Sequence, residues 1–171
     1  MPTGIEPVGT MGLFLSTYVN KVDKKGRVSV PAPFRSALLG EGGQAELVVF
    51  RSLQAQALDA CPIAYLDQLS AALDDPATPD DYRDLIETTV FGGSVRLTID
   101  PEGRIIIPNE FLTFAGISES VSFVGRRKTF QIWEPAAFAG HERSSREQAR
   151  ANNISLSTIL AKTSGLAKGG A

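Results

Sequence analysis

The sequence predicts an α+β fold that is mainly β: a tandem repeat whose two halves interleave into one β-barrel, with helices at its periphery. Three observations predict it. Val22-Asp23-Lys24-Lys25-Gly26-Arg27-Val28-Ser29-Val30-Pro31 returns as Ile99-Asp100-Pro101-Glu102-Gly103-Arg104-Ile105-Ile106-Ile107-Pro108 at a constant offset of 77 residues, so the chain is a duplication. The places between the matched Asp, Gly, Arg and Pro keep β-branched residues where strands want them. Each unit spans about 60 residues, too few to bury the apolar side of a four-strand unit alone, whereas two units together share a core.

Residues 1–12 hold three Gly and two Pro without periodicity and read as a disordered leader. The first repeat, 13–62, opens with a strand over 13–22, rich in Thr17, Tyr18, Val19 and Val22; 24–26 supplies a turn and 28–30 returns, forming a hairpin. Gly26 suits a position of positive φ, and Asp23 can accept backbone N–H bonds across the turn. Pro31 ends the strand and Pro33 sets φ for a short helix with Phe34, Ala37 and Leu38 on one face, stopped by glycines within 40–43. Strands over 46–50 and 57–61 complete the unit.

The segment 63–93 is a helical linker. Ile63, Leu66, Leu69 and Leu73 form an apolar stripe, Pro76 and Pro79 break that helix, and Thr78 with Asp81 resembles a capping box for a second one over 80–90, with Tyr82, Leu85, Ile86 and Thr89 inward. The second repeat, 94–135, keeps the same order: strands 95–100 and 104–107, helix 109–115, strands 121–124 and 129–133. Aligning Leu58-Asp59-Ala60-Cys61-Pro62 with Gln131-Ile132-Trp133-Glu134-Pro135, an offset of 73, puts about four extra residues of the first copy near Ser52 and Gln56, in a loop that tolerates insertion. Residues 136–171 form a C-terminal helix, charged from Glu142 to Arg150, and a flexible tail from Thr163.

A content of 43% hydrophobic and 21% charged residues is that of a folded globular chain. Cys61 is the lone cysteine, which excludes an internal disulfide and fits a reducing compartment; no Lys or Arg precedes Lys21, and runs such as Leu13-Phe14-Leu15 fall far short of the roughly 18 residues that cross a bilayer. The expected location is cytoplasmic, with no membrane partner. A net charge of −2 argues against indiscriminate nucleic-acid binding, but the distribution is uneven. Between Leu15 and Arg35, Lys21, Lys24, Lys25, Arg27 and Arg35 stand against Asp23, a local charge of +4. Between Asp67 and Glu87, seven acids stand against Arg83, a local charge of −6. A patch can bind what the average repels.

None of the common phosphate-loop, dinucleotide, nucleophile-elbow or zinc-protease motifs is present, and one Cys with one His cannot supply a metal site of usual spacing. No catalytic residue, metal or cofactor is expected. Cys61 and His141 as a thiol–imidazole pair, and Asp23 with Asp100 as a proton-sharing pair, are the enzymatic alternatives. Structural roles are favoured for the first two residues, and Lys24 and Pro101 stand where the carboxylate pair wants a small residue. Nucleic-acid binding fits better. A hairpin tip bearing Lys21, Lys24, Lys25 and Arg27 gathers cations on a two-stranded ribbon of a size that fits the major groove. Spacing alone leaves open whether Arg27 takes a guanine edge or pairs with Asp23 across its own turn. For Arg104 the pairing role is favoured, so that Asp23, Gly26, Asp100, Gly103 and Arg104 are assigned to building the turns. Arg126, Arg127 and Lys128 form a second basic cluster, a solvated loop with an auxiliary phosphate role; the acidic linker would repel DNA and help orient the protein.

Two D-x-x-G-R turns 77 residues apart, each followed by a β-branched strand and Pro, then Phe34-Arg35, Ala115-Gly116, Val124-Gly125 and Phe130-Gln131-Ile132-Trp133, resemble the MraZ family over roughly 13–150. The resemblance implies tandem AbrB/SpoVT-like domains in a swapped-hairpin barrel, a ring-shaped homo-oligomer such as an octamer, and no enzymatic activity. It also implies a nucleoid-associated bacterial transcription factor that binds double-stranded DNA at short direct repeats upstream of its own gene, at the head of the division and cell wall cluster. The first turn is then the DNA-contacting element, Asp23, Lys25, Gly26 and Arg27, with Lys21 and Lys24 added by charge and position. The leader and the polar stretch 54–59 depart from the family pattern. The alternative is a protein-binding module, antitoxin-like or a scaffold ring, on the same barrel. Against it, two repeats fill the chain and little follows Arg150, where such antitoxins carry one repeat and a long tail.

Overall fold

Short β-branched and aromatic runs, punctuated by Pro, Gly and Asp, set the element order. The computed structural model describes residues 13–39 and 45–169; the predicted leader and the glycines of 40–43 lie outside them. The first repeat gives β1 (Thr17–Lys21), β2 (Arg27–Ser29), α1 (Ala32–Leu38), β3 (Glu46–Arg51) and β4 (Leu58–Cys61). The linker gives α2 (Ile63–Leu73) and α3 (Asp80–Ile86), and the second repeat gives β5 (Val95–Thr98), β6 (Arg104–Ile106), α4 (Asn109–Phe114), β7 (Ser120–Gly125) and β8 (Phe130–Trp133). Last come α5 (Pro135–Ala151) and α6 (Leu156–Gly169). The described residues fall into two compact units divided after Pro135, and none of their helices is long and apolar enough to cross a membrane.

Six strands form one antiparallel sheet in the order β1-β7-β8-β4-β3-β5, while β2 and β6 pair separately as a two-stranded ribbon. Exchanging the repeats leaves this order unchanged. Each repeat's first strand lies against the other's third, with Tyr18 opposite Phe123 and Leu97 opposite Leu47, and the second strands lie against each other, with Val28 opposite Ile105. The halves therefore interleave, as predicted, but the predicted local hairpin survives only at its tip. The Asp23 N–H donates to the Arg27 carbonyl at 3.0 Å, and beyond that bond the two arms part to strands of the other repeat. Parting buries Val28, Val30, Ile105 and Ile107 in one shared core, which a closed local hairpin could not do. The first strand is also shorter than predicted, because Ser16 turns to φ +76°; Phe14 is held separately, its N–H donating to the Arg127 carbonyl at 2.6 Å.

The core is centred on Phe34, as its place on the apolar face of α1 predicts. Its ring meets Phe14 and Tyr18 edge-on at 5.3 and 5.5 Å and packs tilted on Phe130 at 4.9 Å. Phe111, its counterpart 77 residues on, is also buried. The strands after the helices follow other offsets: 74 residues for β3 and β7 (46 to 120) and 72 for β4 and β8 (58 to 130). The predicted offset of 73 is therefore one residue out, and one residue turns a strand over. Leu58 and Ala60 face the core with Phe130 and Ile132, so Cys61 corresponds to Trp133, not Glu134. The extra residues of the first copy also divide: three lie between Phe34 and β3 (77 against 74), two in the β3–β4 loop (74 against 72).

On the outer face of β3 and β4, Val48, Phe50 and Cys61 meet Ile63, Leu66 and Leu69 of α2. The predicted capping box does not form. Pro79 stands at the N-cap of α3, and the Thr78 hydroxyl donates instead to the Ala72 carbonyl at 2.8 Å. Arg83 ties this helix to the end of α2, donating to the Leu73 carbonyl at 2.7 Å, so its first turn stays off the sheet. Only Ile86, with Val90 and Phe91 of the wider π-type turn Glu87–Phe91, reaches the apolar cluster; Tyr82, Leu85 and Thr89, predicted inward, are exposed. In the second unit α5 is exposed along most of its length, as its charges predict, and the backbone over Leu156–Gly169 is helical, including 163–169, where the composition suggests a flexible tail.

Because Phe34 is wholly enclosed by aromatic neighbours, Phe34→Ala is expected to cost about 3–5 kcal/mol in chemical denaturation. Leu15→Ala, at a side chain 62% exposed, is expected to change stability by less than about 0.5 kcal/mol.

Candidate nucleic-acid interface

Asp and Gly three residues apart, followed by Arg, fold the same way twice. The Gly26 N–H donates to the Asp23 carbonyl at 3.0 Å and the Gly103 N–H to the Asp100 carbonyl at 2.9 Å, closing two β-turns with glycine at φ +84° and +81°. The carboxylates brace the turns from within. Asp23 Oδ1 accepts the Lys25 and Arg27 N–H groups, both at 2.9 Å, and Asp100 Oδ1 accepts those of Glu102 and Arg104 at 3.0 and 2.9 Å. These bonds answer the idea of a shared proton. The Arg27 backbone N–H, then its side chain, hold Asp23 below the usual carboxylate range; the Arg104 backbone N–H, backed by its side chain, does the same for Asp100 against some desolvation. Both are ionised acceptors engaged in their own turns, whereas a proton-sharing pair needs one raised pKa.

Each turn is also bonded to the other repeat. The Ile107 N–H donates to the Gly26 carbonyl and the Val30 N–H to the Gly103 carbonyl, each at 2.9 Å. A side chain at Gly26 would place its first carbon 2.5 Å from the Ile107 carbonyl oxygen, and one at Gly103 would meet the Arg35 guanidinium at 2.8 Å. That guanidinium is held by the Val30 carbonyl at 2.5 Å, so Arg35, one of the five cations counted near the first turn, lies against the second one instead.

The ribbon that presents the turns is β2 with β6, not the predicted β1–β2 hairpin. Alternation puts Val28 and Ile105 into the core and Arg27, Ser29, Arg104 and Ile106 on the outer face, Arg27 opposite Ile106 and Ser29 opposite Arg104. Ser29 and Ile106 escaped notice as members of this face; the period of two around Arg27 is the signal that marks Ser29. Asn20 of β1 steadies the ribbon, its Nδ2 donating to the Ser29 carbonyl at 2.7 Å. At one end stand Lys24 and Lys25, both exposed, with Lys21 exposed at the end of β1. Arg27 commits Nε to Asp23 Oδ2 at 2.7 Å, and its Nη1 and Nη2 have no hydrogen-bond partner among the described residues. Arg104 is committed twice, Nε to Asp100 and Nη2 to Glu102, both at 3.2 Å. Sequence spacing left the two roles of Arg27 open, and the geometry permits both at once.

The second basic cluster is elsewhere. Lys21 pairs with Ser120 at one end of β7, while Arg127 bridges to Phe14 beyond the other, the strand between them being about 17 Å long. Arg126 lies over a polar network that the sequence analysis missed. Its Nη1 donates to Gln131 Oε1 at 3.4 Å, Trp133 Nε1 to the same oxygen at 2.9 Å, and Gln131 Nε2 to Asp59 Oδ1 at 2.9 Å. The strand-face signal for it was hidden by the one-residue misalignment of β4 with β8. Burial raises the Asp59 pKa, and burial together with the Asp59 charge pushes the Cys61 thiol up to about 12, so this cysteine is an inert core residue.

Fold and site together define a class: a two-repeat, interleaved α+β protein that displays one cationic turn on an exposed ribbon. Comparison with known proteins is specific. The chain matches over 90–157 the family described as "MraZ protein, putative antitoxin-like". It is 44% identical over 146 residues to the Transcriptional regulator MraZ of Pelagibacter ubique (strain HTCC1062), covering 84% of this chain and 92% of that one. It is 38% identical to the protein of the same name in Rickettsia akari (strain Hartford), covering 85% and 97%. The chain belongs to the MraZ family. Among solved structures, the solution structure of PHS018 from Pyrococcus horikoshii aligns with a TM-score of 0.31 at 14% identity over 71% of this chain and 96% of that one, a likeness too low to bear on the fold.

Gly26→Ala is expected to lose about 1–2 kcal/mol from the left-handed backbone alone, and to weaken the β2–β6 pairing, read as faster amide exchange at Ile107. Because Asp23 and Asp100 have folded-state pKa values below the unfolded value of about 3.9, the unfolded chain binds more protons in acid. Their contribution is thus complete above about pH 5 and lost as pH falls through the folded values. Thermal melts of the wild type and of Asp23→Asn/Asp100→Asn are expected to differ at neutral pH and to converge in acid.

Proposed function

We propose that this chain is a sequence-specific transcriptional regulator that contacts double-stranded DNA through its first turn and the adjoining ribbon, and that it binds short direct repeats upstream of its own gene. The observation that carries the reading is the state of Arg27. Its guanidinium is oriented by Asp23 through one nitrogen while the outer pair stays open, beside Lys24 and Lys25, on the exposed face of a two-stranded ribbon. A planar fork with two parallel donors suits a guanine edge, and flexible ammonium groups suit phosphates. Carboxylate bracing fixes the fork in advance, which lowers the ordering cost of contact. The names of the relatives support regulation of transcription. A ring of several copies would present one such turn per subunit, and repeated sites would then engage several weak contacts at once through effective concentration.

A gel shift with the DNA upstream of its own gene tests this. Arg27→Ala is expected to weaken binding by about 1–3 kcal/mol and to relax sequence preference, while Arg104→Ala changes it less. With six to ten phosphate contacts engaged across the assembly, affinity falls by roughly 10³ to 10⁵ between 50 and 200 mM salt. Equal loss in the two variants, both folded and oligomeric, overturns the assignment to the first turn. Capture of a partner protein without any shift of this DNA supports the protein-binding alternative instead.

A further inference from the structure

The two turns share one backbone plan and differ in the residues between Asp and Gly. At the position 77 residues after Lys25 stands Glu102, and after Lys24 stands Pro101. Counting side-chain charges from 22 to 28 gives +2 (Lys24, Lys25 and Arg27 against Asp23); from 99 to 105 it gives −1 (Arg104 against Asp100 and Glu102). Glu102 also changes what the arginine can do. It takes Nη2 of Arg104 at 3.2 Å, at the outer edge of a fork whose Nε is already on Asp100. Both arginines lie on the outer face of the same ribbon, and the turns stand at its opposite ends: Gly26 is level with Ile107 and Gly103 with Val30, four residues or about 13 Å apart along the strand. That distance is a little more than one Debye length at 0.1 M salt. Whatever polyanion meets one end of the ribbon feels the charge of the other.

We infer that Glu102 determines which end of the ribbon binds, by occupying the Arg104 fork and making the second turn repel phosphate. The inference rests on the DNA-binding reading of the first turn. The ion pair itself is exposed, the Arg104 side chain at 36% and Glu102 at 69%, and such pairs hold weakly. Its effect is therefore on the charge the ribbon offers to DNA, with little effect on stability. Without Glu102, Arg104 is left with its Asp alone, the condition in which Arg27 already stands. With lysine there, the second turn regains the cation that the first turn has in Lys25.

Affinity for the upstream DNA, measured by fluorescence anisotropy across about 50 to 200 mM salt, tests this in the full chain. Glu102→Gln is expected to bind several-fold more tightly than wild type. Glu102→Lys is expected to bind more tightly still and to steepen the slope of log affinity against log salt by about 1, the mark of an added phosphate contact. Glu147→Lys adds the same charge as Glu102→Lys on an exposed site of α5 and is expected to leave the slope near that of wild type. Unchanged or weaker binding by both Glu102 variants, with melting temperatures matching wild type, overturns the inference; so does an equal gain from Glu147→Lys. A wild-type chain that does not bind this DNA overturns the reading of the first turn and the inference with it, an outcome distinct from normal wild-type binding that the Glu102 variants leave unmoved.

Discussion

Two backbone hydrogen bonds, from Ile107 to the Gly26 carbonyl and from Val30 to the Gly103 carbonyl, join the parts of this molecule that fold and the parts that face outward. Each turn closes on its own Asp and Gly and then bonds the strand end of the opposite repeat, which ties the two halves together at both turns. The glycines follow from the same constraint. A side chain at Gly26 would collide with the carbonyl of Ile107, and the positive φ that brings the chains together already disfavours one. The position of Arg27, one residue past Gly26, is thereby fixed by contacts that span the duplication.

The same pairing explains why the core and the ribbon are one structure. With β2 and β6 antiparallel, the inward Val28, Val30, Ile105 and Ile107 enter the shared apolar cluster and the outward Arg27, Ser29, Arg104 and Ile106 join a single exposed face. Apolar burial on one side is what holds polar groups in register on the other. Phe34, the centre of the aromatic cluster, sits on the helix that follows directly from β2, and Arg35 beside it reaches across to the second turn. A change in packing beneath α1 is thus felt at both turns.

Features that depend on local chemistry were legible in the sequence. The Asp-x-x-Gly-Arg turns, the short helices after Pro31 and Pro108, the apolar face through Phe34 and the stripe of α2 follow from residue preferences at short range. What escaped depends on partners far away in the chain. The arms 13–22 and 28–30 look like a hairpin because the turn between them is real, but nothing local says that each arm finds more apolar contact in the other repeat. The β4–β8 alignment failed by one residue because Pro62 and Pro135 were matched, although Glu134 adds one residue between strand and proline in the second copy only. The inner face of α3 was misplaced for a similar reason: Arg83 spends itself on the end of α2, an interaction that helical periodicity does not register. Of the candidate site, residue identities were readable and commitments were not. The open fork of Arg27 and the doubly held fork of Arg104 are differences in geometry between two identical pentapeptide patterns.

Duplication makes two equivalent positions, and one ribbon needs only one of them to carry charge outward. The two turn backbones match, and each is bonded to the opposite repeat: the Gly103 carbonyl holds Val30, three residues past Arg27, and the Gly26 carbonyl holds Ile107. Side chains at the turn tips bear no such load. Lys24, Lys25, Pro101 and Glu102 point away from the shared core and are free to diverge, since exposed substitutions there change stability little. Within the turns themselves, between Asp and Arg, the copies differ only at the two tip residues, where folding constrains the side chain least. An acidic chain can then keep one cationic end without raising its overall charge.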